Sequence, residues 1–246
     1  MRDTPITQGG DIMEAKPLAQ RSFDKIIEEQ VKRWQSDQKK KYKNPIRPVI
    51  TMSRLPGAMS NALAQKLAKD LEIDLFDHEI VEEIATNAKR SQQIVESLDE
   101  QDRGIFDEWI AVLGEDHMWA YEYLQHLTQV VGAIGAHGHA IIVGRGASYI
   151  LPKEVCLRLL VVAPLEARIQ NVMRTYKVND KEARRQVMRT EADRKAFIRK
   201  YFQADMMDPV NYDMVINTEH IDIDLAARIV KETFNSRQWY DYSGKK

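Results

Sequence analysis

Chemistry in this chain is concentrated in a few arginines and one short run of small residues. Arg54 precedes Leu55-Pro56-Gly57-Ala58-Met59-Ser60-Asn61, which lies between an apolar β-branched run, Val49 to Met52, and a helical pattern with Leu63, Ala64, Leu67, Ala68 and Leu71 on one face. A loop joining a buried parallel strand to a helix places backbone N–H groups and the positive end of a helix dipole at the carboxyl edge of a sheet, where phosphates bind. Arg145 stands between Gly144 and Gly146 at the end of another apolar run, Ala140 to Val143. Its planar fork suits phosphate oxygens, and the glycines permit close approach. Arg189, Asp193, Arg194 and Arg199 fall in a segment, Arg168 to Lys200, with 11 basic residues against four acidic. Such a segment can fold over a phosphate loop as a lid, because charge on a transferring phosphoryl group is stabilised mainly by cations; a solvated helix face is the plainer reading.

The loop departs from the usual phosphate-binding pattern. A Walker A loop reads G-x-x-x-x-G-K-[ST]. With Gly57 as the inner glycine, Arg54 stands at the first glycine, Met59 at the second, Ser60 at the lysine and Asn61 at the hydroxyl. Met59 is expected to obstruct the backbone wrap unless the loop takes another path, while Gly57 and the N–H groups near Ser60 and Asn61 can still hold an anion. Ser60 or Asn61 is expected to cap the helix. Asp77 ends a short second strand, Ile73 to Phe76, and either faces the ligand crevice or caps the helix that opens at His78.

These residues need a scaffold, and the sequence describes one. Strands at about 49–52, 73–76, 140–143, 157–163 and 214–216 alternate with helices long enough for right-handed crossovers, which predicts an α/β fold with a parallel sheet covered on both faces. Between the second and third strands the helical patterns are Ile80 to Ala85, Ser91 to Leu98, Asp102 to Val112 and Trp119 to Gly135. Trp109, Trp119, Tyr121 and Tyr123 on these helices read as core, or as a base-stacking surface. His137 and His139 read as helix-end residues. A basic helix or helix pair spans about Asp180 to Phe202, and Ile221 to Phe234 closes the chain. Upstream, residues 1–44 read as a polar tail followed by a helix, Ser22 to Lys41, whose apolar face (Phe23, Ile26, Ile27, Val31, Trp34) must pack on its own domain or on a second copy in a homodimer. Residues 45–246 form the main domain.

Composition bounds the partners. A formal net charge of −1 over 246 residues argues against nucleic-acid binding by bulk charge. Cys156 is the only cysteine, so there is no disulfide framework or thiolate zinc site, and a core thiol is expected. No apolar run approaches the roughly 18 residues of a membrane span, and the protein is expected to be cytoplasmic.

Taken together, the segments resemble the cytidylate kinase-like family of nucleoside monophosphate kinases, from about Pro48 to Phe234. The resemblance rests on Val49-Ile50-Thr51-Met52-Ser53-Arg54-Leu55-Pro56-Gly57, Asp74-Leu75-Phe76-Asp77-His78-Glu79-Ile80, Ile142-Val143-Gly144-Arg145-Gly146-Ala147, the stretch from Thr190 to Phe202, and Tyr212 to Thr218. It implies a five-stranded parallel sheet of order 2-3-1-4-5, a helical acceptor side at about 78–137 and a basic lid at about 177–208. It also implies ATP with Mg²⁺ as donor and a pyrimidine monophosphate, CMP or dCMP, as acceptor. On this resemblance Gly57, Ala58, Ser60 and Asn61 surround the donor phosphates. Asp77 and Arg145 serve the acceptor, Arg54, Arg194 and Arg199 clamp the transferring group, and Arg189 and Asp193 belong to the lid. The family generally has Gly-Ser-Gly-Gly where this chain has Gly57-Ala58-Met59-Ser60, so a kinase-fold protein that binds a nucleotide as a sensor or interaction module is the alternative.

Overall fold

The computed structural model describes residues 23–38, 47–115 and 122–239. The polar tail, the lysine run after the first helix, Trp119 and Tyr121 lie outside the described residues. Strands β1 (Val49–Arg54), β2 (Asp74–Phe76), β3 (Ala140–Val143), β4 (Cys156–Val162) and β5 (Met214–Asn217) form one parallel sheet in the order β2-β3-β1-β4-β5. Met52 pairs with Val143 on one side and Leu159 on the other. Successive side chains on a strand point to opposite faces, and both faces are apolar. Val49, Phe76, Ala140, Ile142 and Cys156 join one core, while Ile50, Met52, Ile141, Val143, Leu157, Leu159 and Ile216 join the other. This is why the strands read as continuous apolar runs rather than alternating ones.

Helix α2 (Ser60–Leu71) lays Leu63, Ala64 and Leu67 on the second face beside α10 (Ile223–Ser236), which contributes Ala226, Ala227 and Val230. The first face is covered by α3 (His78–Ala85), α4 (Ala88–Glu96), α5 (Glu100–Glu115) and α6 (Glu122–His137), all inserted between β2 and β3. Helix α4 begins three residues earlier than its apolar pattern suggests, because the Asn87 side chain accepts from the Arg90 N–H and caps it. Asp222 likewise starts α10 by accepting from the Leu225 N–H; a cap of this kind contributes about 1 kcal/mol. Short α7 (Ala147–Ile150) follows β3. Helices α8 (Leu165–Tyr176) and α9 (Asp180–Phe202) form a hairpin with its own small core of Ile169, Val172, Ala183 and Val187. Cys156 is buried, and burial pushes its thiol up to about 12.

Helix α1 (Phe23–Gln38) packs on its own domain, which decides between the two expected locations of its apolar face without recourse to a second copy. Ile27 and Trp34 are buried. The Trp34 ring stacks 5.9 Å from Phe76 and 3.8 Å from the His137 imidazole, measured between ring centroids. Gln30 donates to Asp74 Oδ2 at 2.6 Å, Arg33 to Asp74 Oδ1 at 2.5 Å and Arg90 to Asp24 at 2.7 Å. These contacts seat α1 against α4, the end of α6 and side chains of β2. Beneath Trp34 lies a row of buried polar groups. Ser97 Oγ and His137 Nε2 are 2.8 Å apart, and His137 Nδ1 is 3.9 Å from Asp102 Oδ2, a carboxylate that also pairs with Arg47. The residue types are those of a hydrolytic triad, but all are enclosed in the core, so the row is structural.

Candidate active site

Strand β1 continues through Ser53 and Arg54, two residues past its apolar run, because Ser53 and Arg54 stay in register with Leu160 and Val161 of β4. The Leu55 N–H then donates to Val161 O, and the Ala58 N–H closes a turn onto Leu55 O. Gly57 has φ +80°, and a Cβ there would come 2.6 Å from the Arg168 carbonyl oxygen. Only glycine fits that contact and that conformation. Met59 is the residue before α2, at φ 58° and ψ 18°, and no side chain caps the helix. Ser60 is the first helical residue and Asn61 the second, so neither takes the capping position expected of them. The Met59 side chain is 41% exposed, so it does not fill the inside of the loop. The anticipated obstruction is replaced by backbone strain, about 1–2 kcal/mol for a non-glycine residue in the left-handed region.

Every carbonyl from Arg54 to Ala58 is bonded. Arg194 Nη1 donates to Arg54 O at 3.2 Å, Arg168 Nη1 to Pro56 O at 3.4 Å, Asn171 Nδ2 to Gly57 O at 2.9 Å and Thr218 Oγ1 to Ala58 O at 3.1 Å, while Leu55 O takes the Ala58 N–H. With the carbonyls turned inward, the opposite ends of the peptides are left for a ligand. The N–H groups of Met59, Ser60, Asn61 and Ala62 meet no acceptor among the described residues. Four such donors at a helix start form an anion site.

The loop is flanked by arginines. The Arg54 side chain is buried, 4% exposed, and a Cβ on Gly144 would come 2.4 Å from its Nη1; the guanidinium therefore lies against the Gly144 backbone, next to Arg145. Arg145 Nε is 3.1 Å from Glu82 Oε2 on α3, and the Tyr123 hydroxyl on α6 donates to the same carboxylate. Burial pushes the Tyr123 phenol upward, which keeps it a donor. On α9, Arg194 faces the loop.

The sequence profile of the cytidylate kinase-like family matches residues 49–220, which include the whole sheet and every group just described. The chain belongs to the cytidylate kinase-like family. No curated relative matches the sequence. Among solved structures, an uncharacterised protein from Eubacterium ventriosum aligns at 20% identity and TM-score 0.55, over 78% of this chain and 100% of that one. A shikimate kinase from Acinetobacter baumannii aligns at 13% identity and TM-score 0.44 over 78% and 94% of the two chains. A putative kinase from Chloroflexus aurantiacus aligns at 15% and 0.40 over 78% and 98%. The first shares the fold; nothing more follows from the others.

Not all residues that the family resemblance selects converge in this cytidylate kinase-like chain. Arg54, Arg145 and Arg194 lie along the carboxyl edge of β1 and β3 together with Gly57, Ala58, Ser60 and Asn61. Arg189 and Arg199 are each five positions from Arg194 on α9, about 140° around the helix, and both are exposed. Arg189 pairs with Asp193 at 3.9 Å on that outer surface. The Asp77 carboxylate accepts from the Glu79 and Ile80 N–H groups at 3.0 Å each and so caps α3; of its two roles considered from sequence, the cap is the one its hydrogen bonds define.

Other participants carry weaker sequence signals. Arg168, on the buried side of α8, bonds Ala163 O at 2.9 Å and Pro56 O, and pairs with Glu191 of α9 at 3.0 Å. An arginine inside the apolar stripe of Leu165, Ile169 and Val172 was the available clue. Burial raises the Glu191 carboxyl, but the Lys195 hydrogen bond and the Arg168 charge outweigh it and hold the group below its usual range. Glu82 and Tyr123 meet Arg145 only through tertiary packing. Among the described residues no three His, Cys, Asp or Glu side chains gather as a metal-binding group. The donor groups present suit phosphate, and a Mg²⁺ here would be held through phosphate oxygens and water, its usual manner in kinase sites.

Proposed function

We propose that this chain is an ATP-dependent phosphotransferase acting on a nucleoside monophosphate, with CMP and dCMP the first candidates. The observation that supports it most is the conjunction of four unoccupied N–H donors at the head of α2 with Arg54 beside Gly144 and Arg145 within a family-matched sheet. In this reading the loop N–H groups and the α2 dipole bind the donor phosphates, and Arg145 holds the acceptor phosphate. An acceptor oxygen attacks the γ-phosphorus as the bond to the β,γ-bridging oxygen breaks, giving the two diphosphates. Arg54 and Arg194 stabilise charge on the group in flight, a role in which an arginine fork replaces the absent lysine. Mg²⁺, when bound with the nucleotide, neutralises the β- and γ-oxygens.

A second reading is favoured by Met59, which occupies a left-handed position where glycine costs less: the fold binds nucleotide and transfers slowly or not at all. Calorimetric titration with ATP–Mg²⁺ tests what both readings share. Micromolar to millimolar binding is expected, weakened at least about tenfold when Ser60 is replaced by proline, which removes one N–H donor at the first helical position, where proline is tolerated. No heat of binding from the parent protein would overturn both readings.

A further inference from the structure

One helix touches both ends of the candidate site. At Ala183 and Val187 helix α9 packs on α8. One to two turns later, Glu191 pairs with Arg168 and Arg194 donates to Arg54 O, both on the loop side. At its last turn Phe202 fills the space over Gly146, where a Cβ would come 2.2 Å from the ring, and stacks 5.4 Å from Tyr149. Tyr201 lies 6.2 Å from Tyr123, whose hydroxyl holds the Glu82 carboxylate that pairs with Arg145. Glu191 and Tyr201 are ten residues apart on an uninterrupted helix, about 15 Å.

The loop peptides carry the contacts through which a ligand would act on these side chains. A peptide unit is a rigid plane, so the Pro56 carbonyl and the Gly57 N–H turn together, as do the Ala58 carbonyl and the Met59 N–H. An anion drawn to the N–H ends would turn the planes whose carbonyl ends rest on Arg168 and Thr218. Arg168 is buried and bonded at once to the loop, to the end of β4 and to Glu191, so it cannot follow the loop without moving α9 or breaking its pair.

We propose that the Arg168–Glu191 pair and the aromatic last turn of α9 couple the two ends of the site, so that phosphate seated on the loop changes the affinity of Arg145 for an acceptor phosphate. Arg168, Glu191, Tyr201 and Phe202 are positioning residues. By linkage the effect is reciprocal, and a factor of about five or more is the usual scale. Both ligands named below rest on the kinase reading, so the test also has an arm that needs no ligand.

In that arm, amide hydrogen exchange compares the parent chain with Glu191→Gln, which keeps the shape and removes the charge. Faster exchange is expected both at the bonded loop amides of Leu55, Ala58 and Leu63 and at residues 197–202 of the variant. Change confined to the turn around Glu191 would overturn the coupling. In the second arm, CMP is titrated with and without saturating β,γ-imido-ATP and Mg²⁺. The analogue is expected to shift the parent's CMP affinity at least about fivefold, and the shift is expected to shrink toward unity in Glu191→Gln, while CMP affinity without analogue changes less than about twofold. An unshifted parent, or a variant that keeps the full shift, would overturn the proposal. Should neither nucleotide bind, the kinase reading fails while the exchange arm still decides the coupling.

Discussion

Arg145 and Met59 are the residues at which the site is most exposed to test. Arg145 sits at φ 50° between two glycines that also lie in the left-handed region, a geometry that costs about 1–2 kcal/mol in a non-glycine residue. It pairs with Glu82, and an acceptor phosphate would compete with that carboxylate. We predict that Arg145→Ala weakens monophosphate binding by about 1.5–3 kcal/mol, the range for hydrogen bonds to charged groups. Melting temperature should be nearly unchanged; unaltered titrations with the variant would refute the role. At Met59 the prediction is a gain. Met59→Gly removes left-handed strain at an exposed position, and we predict about 0.5–1 kcal/mol of added stability by urea denaturation. The triple change Ala58→Ser, Met59→Gly, Ser60→Gly should raise both turnover and ATP affinity. Equal or lower values would show that the loop sequence is not what limits transfer.

Among the elements, α1 lies outside the family-matched span of residues 49–220 yet shares its core. Trp34→Ala removes two ring stacks and a buried side chain, which should cost about 3–5 kcal/mol. A chain beginning near Asn44 should melt lower and associate through the apolar surface that α1 covers; identical melting and an unchanged number of chains per particle by light scattering would show α1 to be dispensable. The His137 imidazole under Trp34 gives this docking a pH signature. Burial and the nearby Arg47 charge push its pKa down to about 3. The unfolded chain therefore takes up a proton as pH falls through about 6.5, while the native chain does not until near 3, so native stability is lost on acidification across that window. We predict a loss of about 1–2 kcal/mol between pH 7 and pH 5 that His137→Gln abolishes. Asp102, whose carboxyl burial pushes upward, acts with the opposite sign from its ordinary range up to its raised folded value, so the histidine's share is read as the difference between the parent and His137→Gln at each pH. Superimposable urea curves at the two pH values would contradict the assignment.

At the scale of the molecule, the alternation of apolar runs and 3.6-residue patterns announced the doubly covered parallel sheet, and the family resemblance carried by five ordered segments implied its strand order. Such local periodicity survives into the fold because each strand buries both faces. The site was only partly legible for the opposite reason. Glu82, Tyr123 and Arg145 are brought together by packing across α3, α6 and β3, and Arg168 reaches Pro56 across 112 positions; no local pattern encodes those meetings. The left-handed Met59 was hidden as well, because a methionine there reads as a break in the loop rather than as its continuation. The basic stretch on α8 and α9 was visible, but sequence alone did not show that only Arg194 among the three selected lid arginines turns toward the loop.

On the proposed function this edge of the sheet transfers a phosphoryl group. The most direct test follows label from γ-³²P ATP with Mg²⁺ to a panel of ribo- and deoxyribonucleoside monophosphates, using the full chain beside its Arg145→Ala and Arg54→Ala variants. We predict labelled diphosphate from at least one pyrimidine monophosphate, slow in the parent and reduced by about 10²-fold or more in Arg54→Ala, the scale for losing one transition-state donor. No labelled diphosphate from any acceptor, or transfer that survives both substitutions unchanged, would contradict it.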